Sequence, residues 1–568
     1  MLLELPACLL LFFTLTFGLA WPLAARLSLD PAEKLAAAVV LSLLSTYLLA
    51  FAIYLLGLPT LTFWLLPALA VLGLSTGRAA LTAVFRDPGA RALLGGQLLV
   101  TLWCTAWLGL IASYSGGGWT SDWYEHCERA RFFLGHWPLD TKFLGVYALP
   151  ARPPLANFVT GALLALTPGN FAHYQLFTTL LSSLAFLPAA LLARRFSPTR
   201  GVAGSTAMAV LAVLLMLNPS FVENATFAWT KLTAVCFILG GLYFFLRARD
   251  PDAPPSAGPL CATALAAALL AHFSAGPYVL LLALAWLLLS RTRWADATYW
   301  RQTAGLGLIG GLVLATWFGW SLAVYGAHTT LLSNSSVEVK DVHTGNQFIK
   351  IALNLRDTLV PHFLRPLDGA LITQTSRWGY WHDWFFQVYQ LNLFLVFGSV
   401  GWLVLGRELG RGWPGATPRS RWFWALFSGG VIILGVAVHG ARDTWGLAHI
   451  CLQALVLLGL AFLAARWAGL GRGWQRVLIA GAAVDFVLGI ALHFAVQNYA
   501  LDRWFTPNRA PEAILRSYSE TSLMNAAGKL VNHLVFFRDE FQPSAALVLA
   551  LLAGIITLAV ARAARRAG

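Results

Sequence analysis

Charge is scarce in this chain of 568 residues: Asp, Glu, Lys and Arg together make up 11%. A soluble domain carries roughly 25%, so this chain has too little polar surface to cover itself in water, and an ordinary soluble enzyme is excluded. Acids are the rarer sign, 25 against 39 basic residues. The six cysteines (Cys8, Cys104, Cys127, Cys236, Cys261, Cys451) form no CxxC pair and stand mostly in apolar runs. They read as small buried residues, which argues against a zinc or disulfide framework. There is no Walker loop and no GxGxxG at a strand–helix junction, so nothing offers a nucleotide cradle. The ten-residue alternation of a membrane barrel is missing, and no internal repeat is evident. The first apolar run lacks a basic n-region and reads as a retained helix rather than a cleaved signal.

What fills the chain instead is apolar, 58% by residue count. Candidate spans lie near 6–25, 36–57, 60–76, 92–113, 173–193, 202–218, 225–246, 260–273, 275–290, 303–325, 384–405, 422–439, 445–466, 476–496 and 543–562. Each approaches the roughly 20 residues needed to cross a hydrocarbon core, and backbone exposed to lipid must satisfy its own hydrogen bonds, which makes the spans helical. The expected fold is an all-α integral membrane bundle of about 13–16 spans, with extracytoplasmic loops carrying short amphipathic helices. The net charge of +14 sits mostly on arginines in short interhelical loops, as the positive-inside rule predicts, and not in a nucleic-acid-binding stripe.

That rule places Arg26 with Lys34, Arg78 with Arg86 and Arg91, Arg407 through Arg421, Arg466 through Arg476 and the terminal arginines on the cytoplasmic side. The N-terminus then lies outside, and three long polar segments, 114–154, 326–382 and 497–542, converge on the far face. One choice stays open. Either 155–168 is re-entrant or interfacial, or it crosses and 260–290 is one long helix; charge bias favours the first. By organisation the chain divides into N-terminal helices (1–95, a possible appendage), a core with the first large loop (96–325), a second loop (326–382), and C-terminal helices with a third loop (383–568).

The first loop is a polar island, Tyr114 to Pro154, between apolar runs. It holds four carboxylates (Asp122, Glu125, Glu128, Asp140), with Arg129, Arg131, Lys142, Arg152, His126 and His136. From Asp122 onward the chain suits an amphipathic helix at the membrane surface, with 122, 125 and 129 on one face and Phe132, Phe133 and Leu134 dipping into lipid. An interfacial carboxylate beside a polar cavity suits a general base. The plainer reading is a solvated helix whose acids pair with Arg129 and Arg131. At the end of the island, Arg152-Pro153-Pro154-Leu155 fixes an extended lead into the next helix. That holds a guanidinium where it could grip a phosphate with two parallel bonds; a snorkelling arginine would look the same.

The order Asp122, Glu128, Ala130-Arg131, Leu134-Gly135, Trp137 and Arg152-Pro153-Pro154-Leu155 resembles the first extracytoplasmic loop of the GT-C glycosyltransferases. That superfamily includes lipid A aminoarabinose transferases and protein O-mannosyltransferases. A second stretch, 218–249, is similar to the helix after that family's next loop, so the likeness spans about 100 to 250. The resemblance implies sugar transfer from a polyprenyl-phosphate-linked donor to an envelope acceptor, with Asp122 as the catalytic carboxylate. Glu128, Arg131, Lys142, Arg152 and His126 are the accompanying candidates for holding substrate. It also implies a multi-pass protein of the inner (plasma) membrane whose site faces the periplasm or exterior.

There are departures from the family pattern. Trp123 replaces a frequent second acid, His136 stands where Asp is common, and Arg152 replaces Lys or His. Lys231 falls where some members carry a second loop acid, with Glu223 the nearest substitute; a divalent metal is therefore left open, and no other cofactor is implied. The chemistry is coherent, because phosphate departs through an oxocarbenium-like state when cations neutralise its charge.

Weaker candidates are the polar residues of 326–382 as an acceptor or sugar pocket, His272, His439 and His449 at helix ends or within apolar runs, and intramembrane Asp485. The competing function is an envelope lipid or polysaccharide transporter, which predicts charges deep within spans and related halves. A catalytically silent scaffold would leave the island's acids dispensable.

Overall fold

Continuous apolar runs wind into helices here because a helix is the one element that closes its hydrogen bonds within its own segment. The computed structural model describes residues 3–111, 122–143, 147–197, 202–333, 348–349, 351–352, 355, 406–407, 418–437, 452–492 and 535–541. The first helices are α1 (Glu4–Gly18), α2 (Trp21–Arg26), α3 (Pro31–Leu55), α4 (Leu65–Thr76), α5 (Arg78–Arg86) and α6 (Pro88–Leu108). The island supplies α7 (Asp122–Gly135), followed by α8 (Leu155–Leu164), α9 (Phe171–Ser183), α10 (Phe186–Phe196), α11 (Val202–Met216), α12 (Pro219–Thr226) and α13 (Lys231–Arg247). Then come α14 (Ala257–Ala271), α15 (Gly276–Leu289), α16 (Ala297–Leu332), α17 (Pro418–Ala437), α18 (Gln453–Arg466) and α19 (Arg472–Phe486). Among the described residues no strand forms; one isolated antiparallel bridge joins Phe143 and Tyr147.

The bundle is all-helical, as expected. Among the described residues, four helices suffice by length and hydropathy to cross a membrane alone: Pro31–Leu55, Phe171–Phe196, Ala297–Leu332 and Arg472–Ile490. Two bent pairs, Thr60–Thr76 with Arg78–Arg86 and Gly204–Met216 with Pro219–Thr226, raise that to six if each is one span. Other expected spans are shorter apolar helices, such as α1, α14 and α15. Those at 384–405 and 543–562 lie outside the described residues, as do His439, His449 and Cys451.

Ionic contacts gather at one end of the bundle. Glu33, buried in the first turn of α3, accepts from Tyr243 Oη at 2.7 Å and Arg247 Nε at 3.1 Å. Arg247 also pairs with Asp250 and Asp252, and Asp250 takes a two-pronged bond from Arg195 at 2.6 and 2.8 Å. The starts and ends of α3, α10 and α13 are thereby tied together. At the opposite end of α3, Tyr54 packs edge-on to Phe133 of α7 and stacks on His136.

The segment 155–168 holds the short helix α8, packed against α7. Ten residues make a helix of about 15 Å, half a hydrocarbon core. Both its flanks rest on α7: Asn157 in its first turn meets His126 at 3.1 Å, and Gly169, beyond its last turn, accepts from Arg131 at 3.3 Å. Both contacts hold the segment against the island helix. The stretch 260–290 is two helices bent at His272–Ala275.

Candidate functional site

The island helix α7 begins at Asp122 and stops where His136 turns left-handed (φ 46°) and the Trp137 N–H returns to the Phe132 carbonyl at 3.2 Å. That six-to-one closure is the usual way a helix satisfies its last carbonyls, normally with glycine at the left-handed position. His136 takes that conformation here under the stack on Tyr54.

One expectation is corrected. Phe132 and Phe133 do not dip into lipid: both are buried inside the protein, Phe133 stacked on Phe158 of α8 at 3.8 Å and Phe132 against Phe143 and Trp137. Nor is α7 a solvated helix. Every residue from Tyr124 to Ala130 is buried, charges included, because α8 covers a face that the sequence pattern left to membrane and water.

Buried charges must be paired, and here they are. Arg129 Nε and Nη2 hold Glu125 Oε1 at 2.9 and 2.7 Å, while Nη1 and Nη2 donate to the carbonyls of Leu149 and Ala148. Its guanidinium also lies over the Phe143 ring. Arg129 is fully committed. Arg152 reaches the other oxygen of the same carboxylate, Nε to Oε2 at 3.3 Å, lies over Tyr147, and keeps 14% of its side chain exposed. Burial alone would raise the Glu125 carboxyl, but Arg152 and Arg129 outweigh it and hold it at about 2. Burial pushes the His126 imidazole down to about 3, against the opposing pull of Glu125. The ring is therefore neutral at physiological pH. With Asn157 Oδ1 as the acceptor, its proton sits on Nδ1.

A second histidine closes the neighbourhood. His272 ends α14; its Nδ1 accepts from the Ser274 N–H, which leaves the proton on Nε2. Lys231, Arg152 and His126 all lie close enough to act on this imidazole. Those four residues come from four separate stretches of sequence.

Of the expected site residues, His126, Arg131 and Arg152 take part in the contacts just described, and Arg131 also bonds Tyr124. Glu128 is buried on α7. Lys142 is exposed on the loop beyond. Asp122 heads the helix, while its side chain lies outside the described residues. Asp485 is fully buried in the bundle interior, and Arg476 is exposed. Among the described residues no three His, Cys, Asp or Glu side chains converge as a metal-binding group.

Sequence reasoning put Glu125 on the face of Arg129 and, in its plainer reading, paired the island's acids with Arg129 and Arg131, but it did not count Glu125 among the site residues. It also missed Asn157, which nothing in an apolar decapeptide marks, and the approach of His272, which only the bend between α14 and α15 creates.

No family model matches this chain, and no curated protein matches it. Two solved structures do align with it. One is ArnT from Cupriavidus metallidurans bound to undecaprenyl phosphate, at 14% identity and TM-score 0.47; the other is ArnT from the same organism in the apo state, at 16% and 0.46. Each alignment covers 72% of this chain and 79% of the other. At that identity and score neither structure transfers a reaction or a ligand to this chain.

Proposed function

We propose that this chain is a membrane glycosyltransferase that moves a sugar from a polyprenyl-phosphate-linked donor to an envelope acceptor, at the bundle end expected to face away from the cytoplasm. The observation that carries the reading is the unequal sharing of Glu125. Arg129 is fully buried between a carboxylate and two carbonyls, whereas Arg152, bound to the other oxygen of the same carboxylate, keeps 14% of its side chain exposed. A guanidinium oriented by a buried acid and open to solvent on one side suits the charge-assisted bonds that a phosphate accepts.

In the proposed reaction the acceptor hydroxyl oxygen attacks the anomeric carbon from the face opposite the carrier. Asp122, at the head of α7, takes the hydroxyl proton. The bond from the anomeric carbon to the phosphate oxygen breaks, and its electron pair leaves with the lipid phosphate, whose charge Arg152 steadies. The product is inverted at that carbon.

The test incubates purified protein with labelled polyprenyl-phosphate sugars and envelope extract, comparing wild type with Asp122→Asn. Transfer is expected to vanish in the variant while abundance and melting stay unchanged. Equal transfer by both removes the catalytic assignment.

A further inference from the structure

Orphaned polar atoms collect in one short segment of the bundle. Glu223 Oε2, Asn224 Oδ1 and Thr230 Oγ1 are all buried, at 6%, 3% and 2% residue exposure, and none has a hydrogen-bond partner among the described residues. Native proteins pair nearly all such atoms, so three within eight positions require an explanation. The segment is shaped unusually as well. α12 turns 72° away from α11, and Ala228 then adopts a left-handed φ of 31°, a conformation costly for a residue with a Cβ. Tyr174 Oη secures that turn by donating to the Ala228 carbonyl at 3.3 Å. Through Phe171 the same tyrosine is linked ring by ring to Tyr124 of α7, with both centroid separations 6.0 Å. The orphans therefore stand one aromatic row from the island helix, in the turn that leads to Lys231.

The chemistry of the orphans selects the ligand. A carboxyl oxygen and an amide carbonyl are acceptors, and the hydroxyl both gives and takes. A phosphate, rich in acceptors and poor in donors, has nothing to offer the amide carbonyl. A ring carrying several hydroxyls matches all three. Building on the glycosyltransferase reading, we propose that the Asn218–Thr230 turn is the subsite for a sugar ring, with Glu223, Asn224 and Thr230 receiving and returning its hydroxyl hydrogen bonds. The carrier's phosphate belongs to Arg152, and the sugar to this turn.

The experiment measures binding of bare polyprenyl phosphate, of polyprenyl-phosphate hexoses and pentoses, and of the corresponding free sugars. It uses detergent-solubilised wild type, Thr230→Val and Glu223→Gln, with a melting curve for each ligand-free protein. Valine has the shape of threonine without the orphaned hydroxyl, so ligand-free Thr230→Val is expected to melt a few degrees higher than wild type. Its affinity for the sugar-loaded carrier is expected to fall about five- to tenfold, with bare-carrier affinity unchanged. Glu223→Gln should lose the same sugar-dependent gain. Loss of the gain only with loaded carrier assigns the turn to the donor sugar; loss only with free sugar assigns it to the acceptor. If wild type gains nothing from the sugar, or both variants keep its full gain, the subsite is overturned while the Arg152 reading stands. If bare carrier itself fails to bind wild type, the glycosyltransferase reading falls and takes the subsite with it.

Discussion

Replacing Glu125 by glutamine tests the electrostatic core of the site most directly. The side chain keeps its shape and loses its charge, leaving the buried Arg129 and the partly exposed Arg152 guanidiniums without their shared counter-ion. Holding the carboxyl at about 2 instead of 4.5 corresponds to about 3 kcal/mol of folding stability, at about 1.4 kcal/mol per unit. Removing one partner of a buried pair costs about 3–5 kcal/mol by an independent route, and the two agree. The sign with pH follows from the depressed value. The contribution is complete above about pH 4.5, where the unfolded chain is already ionised, and drains away as pH falls toward about 2. Melting of wild type and Glu125→Gln in detergent should therefore differ by several degrees near neutrality, with the gap closing in acid. A variant that melts with wild type near neutral pH, or a gap that ignores pH below about 4.5, would refute the claim that this carboxylate organises the site.

Arg152→Ala should weaken binding of polyprenyl phosphate about ten- to a hundredfold, the value of charge-assisted hydrogen bonds, and Arg152→Lys should lose less; indistinguishable affinities by titration count against a phosphate role. Phe133→Ala removes a ring stacked on Phe158 at 3.8 Å and should cost about 3–5 kcal/mol, read as a lower melting temperature. Tyr243→Phe deletes the 2.7 Å bond to buried Glu33, a loss of about 1.5–3 kcal/mol visible in melting, with carrier affinity unchanged because the residue lies at the other end of the bundle.

Sequence made the helical class legible because scarcity of charge and runs of about 20 apolar residues leave few alternatives. The island was legible for the same reason: charge stands out against an apolar background. Burial of α7 was hidden. Its spacing fits an interfacial helix, and only the return of α8 over it turns Phe132 and Phe133 inward. That return was half visible in the double proline after Arg152 and in a decapeptide too short to cross. The partnership of Glu125 with Arg152 joins residues 27 apart through a loop whose path no periodicity encodes. The orphaned oxygens of Glu223, Asn224 and Thr230 have no signature at all, since an unsatisfied atom is defined by what surrounds it.

The two ionic clusters sit at opposite ends of the same helices, and that bears on how the site keeps its shape. α3 starts at the Glu33 cluster and ends with Tyr54 against Phe133 and His136. α13 starts at Lys231, beside His272, and ends with Arg247 on that same Glu33. Twenty-five residues of α3 extend about 37 Å, so these helices act as struts pinned together at one end and carrying site residues at the other. Side chains that must hold a phosphate to within about half an ångström need such anchorage, because α7 and α8 are short and no strut runs through them. The site rests on the far ends of α3 and α13, and Arg152 reaches it from the loop between α7 and α8.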